Sequence, residues 1–294
     1  VKPLKVALIV KNDNSKARSN RNMGYFSYPV PEFEWNHFTP GKRFNLKRNM
    51  FKEFDLIIHE DAPLEGNWIG NDVPLIFLDI DSTLSIEHFT QRFNQASQSD
   101  LVLVDHDNLM HFKKINKPVK RFNYCVNDKV FYPSDKPKAL DFVFHCSNNH
   151  TGGEARSNIR KLLDKYAKAN FLQYRSGAIA LDQYADNFRN SLIVVNQSRT
   201  PHNRPHRIFD ALASKACLLT SQFAYVAHDG LQENENYVSF ADNEQLIQKL
   251  DYLLNNRAEI ERIANNGYNL VKDHHTWEIR AKELRELIQC ELSL

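Results

Sequence analysis

The sequence predicts an α/β protein built from two doubly wound, parallel-sheet domains. Three features of the 294 residues carry this expectation. Short apolar runs recur along the chain and are continuous rather than alternating, as in parallel strands covered on both faces. Helical patterns separate those runs, which favours strand–helix–strand units and layered sheets. A polar stretch with two prolines, Asn127–Ala139, divides the set into two similar halves.

The first half predicts strands at Leu4–Val10, Asp55–His59, Leu75–Ile80, Leu101–Asp105 and Val119–Tyr124, with a helix over Ile86–Gln95. The second predicts strands at Phe142–Cys146, Phe171–Tyr174, Leu192–Asn196, Ala216–Thr220 and Tyr237–Phe240. Helices are expected over Glu154–Ala169, His206–Ser214 and Glu244–Leu254. From Ala258 onward the pattern is strongly helical, with Gly267 read as an interruption and His274–His275 as a break. The expected domains are 1–133, 134–275 and a terminal helix over 276–294.

Composition narrows the function classes. Apolar content of 42% and charged content of 25% are those of a soluble globular chain. A net charge of +2 supplies no global field for nucleic acid. Cys125, Cys146, Cys217 and Cys290 form no paired metal motif, so reduced thiols are expected. No apolar stretch approaches the roughly 20 residues that span a bilayer, and the first apolar run reads as a strand rather than a leader. A cytoplasmic setting is the expectation.

Ligands of open α/β sheets bind beyond the carboxyl ends of the strands. In the first half those ends carry His59-Glu60-Asp61, Asp79-Ile80-Asp81 and Asp105-His106-Asp107. In the second they carry Ser147-Asn148, Arg175-Ser176-Gly177 and Asn196-Gln197-Ser198-Arg199. Carboxylates and imidazoles thus face cations and neutral donors. Helix capping would equally explain several of the carboxylates, and the aspartates match no dedicated metal spacing. The densest stretch is Ser191–Ser221, a buried strand, a polar loop, a helix and a second buried strand. Its loop and first helical turn hold Arg199, His202, Asn203, Arg204, His206, Arg207 and Asp210. Cations at a helix start suit an anion, and Asp210 one turn on suits sugar hydroxyls, so a nucleotide or nucleotide-sugar is the expected ligand.

Several motifs then resemble the group 1 glycosyltransferase superfamily, in its branch like the CgeB spore-maturation proteins. They are Asn196, Arg207-Ile208-Phe209-Asp210-Ala211-Leu212-Ala213, Thr220, Asp229-Gly230 and Glu235-Asn236-Tyr237-Val238-Ser239-Phe240. Ile263-Ala264-Asn265-Asn266-Gly267 and His275-Thr276-Trp277-Glu278-Ile279-Arg280 complete the set. The resemblance covers about Asp141 to Leu287. It implies the GT-B architecture, two Rossmann-like domains facing across a cleft, with a C-terminal helix packing back on the first. It implies metal-independent transfer of a hexosyl or pentosyl group from a nucleotide-diphosphate sugar, a UDP-sugar by preference, with no cofactor. Asp210 takes the position of the family's ribose-contacting acid and Arg207 that of its diphosphate-facing base. Arg204, Asn196, Ser147, Asn148 and Arg156 are the further donor-binding candidates, and Asp81, His59 and Asp61 the candidate bases for the acceptor hydroxyl. The family glutamate is an aspartate here, and Lys215 stands where the family has glycine, so a different local turn is expected. Glycan, protein, small-molecule and modified-DNA acceptors stay open, the last through Lys11–Arg21, Arg43, Lys47 and Arg48. So does a non-catalytic nucleotide-sugar binding module.

Overall fold

A computed structural model of the chain describes residues 2–10, 26, 28–38, 48–60, 72–79, 86–104, 112, 114–146, 153–198, 205–223 and 227–294. In chain order the strands are β1 (Leu4–Val10), β2 (Phe33–Phe38), β3 (Leu56–Glu60), β4 (Leu75–Asp79), β5 (Leu101–Val104) and β6 (Val119–Arg121). They continue with β7 (Leu140–Phe144), β8 (Tyr174–Ser176), β9 (Ser191–Asn196), β10 (Cys217–Ser221) and β11 (Val238–Phe240). The helices are α1 (Ile86–Ser97), α2 (Gly153–Ala169), α3 (Leu181–Arg189), α4 (Arg207–Ala213), α5 (Asn243–Asn255), α6 (Arg257–His274) and α7 (Trp277–Leu292). The described residues form two compact units: those up to Tyr124 with Trp277–Leu294, and those of Cys125–Thr276.

The first unit is a six-stranded sheet in the order β2-β1-β3-β4-β5-β6, every pairing parallel. Five of its strands match apolar runs in the sequence. The sixth, β2, corrects an expectation of five. Its sequence FEWNHF is an edge strand buried only in part, so it carries no continuous apolar signal. Phe33 and Trp35 of this strand pack with Phe26 and Trp277, and the Trp35–Trp277 ring centroids lie 5.9 Å apart. The Trp277 indole N–H donates to Tyr28 O at 2.9 Å, and Lys120 pairs with Glu291 at 2.7 Å. These contacts fasten α7 to the first unit, although it follows the last helix of the second. At the end of β4, Asp79 is fully buried and paired with Arg92 of α1 at 2.5 Å.

The second unit has the sheet order β11-β10-β9-β7-β8, also all parallel. Its core joins Phe142, Phe144, Ile193, Val195, Cys217 and Leu219 to Leu246, Leu250, Ile260 and Ile263 of α5 and α6. Both β8 and β9 pair with β7, so the order of connection reverses there. Such a switch point leaves a crevice at the carboxyl ends of the two strands that flank it.

Two local expectations are overturned. Gly267 does not interrupt a helix; α6 runs through it unbroken. A Cβ there would sit 2.6 Å from Leu212 Cδ2 and 2.9 Å from Asn236 O, so glycine is what lets α6 lie against α4. Lys215 does not change the local turn either. Its φ is +54°, the left-handed conformation glycine would adopt at no steric cost. Lys215 N donates to Leu212 O and Ala216 N to Ala211 O, the paired closure common at helix ends. His274–His275 does end α6, as expected. His275 is buried, and its Nε2–H donates to Asp229 O at 2.9 Å. The four cysteines are free thiols, three of them buried.

Candidate functional site

The site builds from the carboxyl ends of β7, β9 and β10. The β9–β10 register sets Asn196 directly opposite Thr220. Asn196 Nδ2 donates to Thr220 Oγ at 2.8 Å, and Asn196 Oδ1 accepts from Arg207 Nε at 3.1 Å. Arg207 opens α4 and is half-buried. Its two terminal nitrogens make no hydrogen bond or ion pair with any described residue. The strand ends therefore hold the guanidinium by one edge and leave its fork available, the geometry suited to two phosphate oxygens.

Asp210, one turn further along α4, is fully buried. Among the described residues neither carboxylate oxygen has a hydrogen bond of normal geometry. Burial pushes its pKa well above the ordinary carboxylate range, against the opposing pull of Arg207. The Tyr184 phenol of α3 lies beside it, also buried at its oxygen and without a hydrogen bond of normal geometry. Burial and the Asp210 carboxyl together raise the Tyr184 hydroxyl well above its usual pKa. The buried Asp210 carboxyl and the buried Tyr184 hydroxyl thus meet beside a cation.

His145 follows β7 on the same edge. Its Nδ1–H donates to Gly177 O and its Nε2 accepts from Asn187 Nδ2, both at 2.9 Å. The carbonyl and the amide fix one neutral tautomer. Burial lowers its pKa, with the Arg160 and Arg207 cations adding to the effect. Gly177 has φ +103°, which only glycine adopts freely, so the turn after β8 can present its carbonyl to His145.

The expected residues distribute unevenly. Arg207, Asp210 and Asn196 come together as described. Arg156 is nearly fully buried and spends Nε and Nη2 on Gln197 O, fixing the chain just after β9. His59 is the next-to-last residue of β3, next to the switch point where β1 pairs with both β2 and β3, but it is buried with its ring 5.4 Å from Phe77. Asp61, Asp81, Ser147, Asn148 and Arg204 lie outside the described residues, as do Lys11–Arg21, Arg43 and Lys47. Of Asp79, Asp81, Asp105 and Asp107, the aspartates set against metal spacing, Asp79 is described and is held by Arg92. Sequence reasoning missed Tyr184, Asn187 and His145. The first two share a face of α3 with Phe188 at helical spacing, a signal that the sequence carries but that reads as plain core.

A family model described as Glycosyl transferase-like matches residues 134–286, which covers most of the second unit and the first part of α7. The chain belongs to this family. The fold of this glycosyl transferase-like chain matches solved GT-B glycosyltransferases over its whole length. Sucrose-phosphate synthase from Thermosynechococcus elongatus superposes with a TM-score of 0.65 at 12% identity, covering 99% of each chain. HepE from Anabaena, solved in complex with UDP-glucose, gives 0.67 at 11% identity over 98% of this chain and 100% of its own. A glycosyltransferase from Rickettsia africae gives 0.66 at 10% identity over 99% of each. A search of curated proteins finds no match. The two parallel-sheet units are thus those of the GT-B fold. Within the described residues no helix is long and apolar enough to cross a membrane.

Proposed function

We propose that this glycosyl transferase-like protein moves a sugar from a nucleotide-diphosphate sugar, a UDP-sugar by preference, to a hydroxyl acceptor. One observation carries the reading: Arg207 is anchored through Nε while, among the described residues, its terminal nitrogens are unengaged, and the fully buried carboxyl of Asp210 lies one helical turn on. In glycosyl transfer the departing diphosphate gains negative charge. A guanidinium already fixed in a partly buried setting stabilises that charge without reorganising at the moment of reaction. Asp210 is assigned to the ribose hydroxyls, whose hydrogen bonds would satisfy its orphan oxygens and favour its ionised form. Arg204, Ser147 and Asn148 are assigned to the phosphates from the neighbouring loops. The preference for uridine draws on Anabaena HepE, a protein of like fold solved with UDP and with UDP-glucose.

The base for the acceptor hydroxyl is proposed at the carboxyl edge of the first sheet. Asp81 comes first there and Asp61 second, since His59 is buried against Phe77.

Calorimetric titration with UDP tests the donor site. Arg207→Ala is expected to weaken binding about 10- to 100-fold, the worth of hydrogen bonds to a charged group, with the fold intact. Unchanged UDP affinity in both Arg207→Ala and Asp210→Ala would overturn the assignment. Slow hydrolysis of UDP-glucose without acceptor separates an enzyme from a module that only binds.

A further inference from the structure

Building on the reading of Arg207 as the diphosphate contact, we infer that Thr220 is a positioning residue that sets the polarity of the Asn196 amide and, through it, the orientation of the Arg207 guanidinium. A threonine hydroxyl has one proton to give. Here that proton goes to Ser221 O, 3.1 Å away. Toward Asn196 the oxygen can then only accept, and it takes a proton from Nδ2 at 2.8 Å. With its NH2 turned to Thr220, Asn196 presents Oδ1 to Arg207 Nε at 3.1 Å. The reversed amide would set NH2 against the guanidinium N–H and a carbonyl against a hydroxyl with no proton left. One hydroxyl proton therefore selects between two amide orientations of almost identical shape.

The arrangement is built into the fold. Thr220 and Asn196 are register partners on adjacent parallel strands and are fully or almost fully buried. Ser221, the next residue, accepts Ser198 N on its Oγ at 3.0 Å, which ties the chain leaving β9 to β10. Arg207 is the first residue of a seven-residue helix, and Asn196 is the one described residue that hydrogen-bonds its guanidinium. A long side chain fixed before the ligand arrives loses less entropy on binding, and a relay of matched donors and acceptors fixes it in one pose.

The test compares UDP with UMP, which differ by the β-phosphate, by calorimetry on six proteins. In the wild type UDP binds more tightly than UMP, and Arg207→Ala abolishes most of that preference. Thr220→Val keeps the side-chain shape and removes the hydroxyl; it is expected to lower the UDP-over-UMP preference about tenfold with little change for UMP. Thr220→Ser keeps the hydroxyl and restores the preference. Asn196→Asp offers an acceptor to Arg207 in either orientation, so adding Thr220→Val to it should change the preference no further. The inference is overturned if Thr220→Val retains the full preference while Arg207→Ala loses it, or if the double variant loses it as well. If Arg207→Ala keeps the preference, the diphosphate reading itself fails instead. Should Thr220→Val not fold, Asn196→Asp with and without Thr220→Ala gives the same comparison.

Discussion

Replacing Asp210 by asparagine should stabilise the ligand-free protein while weakening its hold on a nucleotide. The wild-type carboxyl is fully buried, and among the described residues neither oxygen has a hydrogen bond of normal geometry. Burial raises its pKa well above the ordinary value of 3.8. The folded state thus holds this proton more tightly than the unfolded chain does. Its contribution to stability is complete below about pH 4 and is lost as pH rises toward the folded pKa. Over that window the wild type should lose stability relative to Asp210→Asn with a slope of up to about 1.4 kcal/mol per pH unit, the limit for one proton. Leaving a buried polar group unsatisfied costs about 1–3 kcal/mol, so near pH 7.5 the variant should lead by about 2 kcal/mol. For a unit of this size that is roughly 4–8 °C in melting temperature. Thermal denaturation of both proteins from pH 4.5 to 8.5 without ligand measures the difference, and calorimetry with UDP measures the binding loss. Parallel stability curves, with the variant lower throughout, would refute the reasoning, because they would mean that Asp210 is ionised and satisfied in the folded state.

Other consequences are equally direct. Lys215→Gly relieves a non-glycine residue at φ +54° and should raise stability by about 0.5–1 kcal/mol, the left-handed penalty less the entropy of a more flexible unfolded chain; chemical denaturation reads this. Gly267→Ala places a methyl 2.6 Å from Leu212 Cδ2, so it should cost about 1–3 kcal/mol and loosen α4, with UDP affinity falling alongside melting temperature. Lys138 donates to Arg189 O and Ser214 O at the ends of α3 and α4. Burial, reinforced by Lys215, lowers its pKa to about 8. Between about pH 8 and 10.5 the unfolded chain therefore binds the extra proton, and wild-type stability should rise with pH relative to Lys138→Met across that window. A flat difference between the two proteins would rule this out.

The sequence by itself determined the layered α/β class, nine of the eleven described strands and the strand–loop–helix segment that carries Asn196, Arg207 and Asp210; β8 lies at Tyr174–Ser176 and meets the expected Phe171–Tyr174 only at Tyr174. It could do so because strands buried on both faces are written as unbroken apolar runs, and because a helix facing the crevice keeps its polar residues at its start. Where burial is one-sided or locally specific, the signal fades. The edge strand β2 is partly exposed and its residues alternate, so FEWNHF carried no run to read. Gly267 looked like a helix breaker because its packing partners, Leu212 and Asn236, are distant in sequence. Lys215 looked like a departure from the family's glycine, yet its backbone takes the left-handed geometry that glycine adopts freely. Tertiary structure alone set the Thr220–Asn196–Arg207 relay, since it depends on the register of two strands joined by twenty residues of intervening chain. It also brought Tyr184 beside Asp210 from another helix. Side-chain types name what a site can bind; which of their protons and lone pairs remain free is decided only when the strands pair and water is excluded.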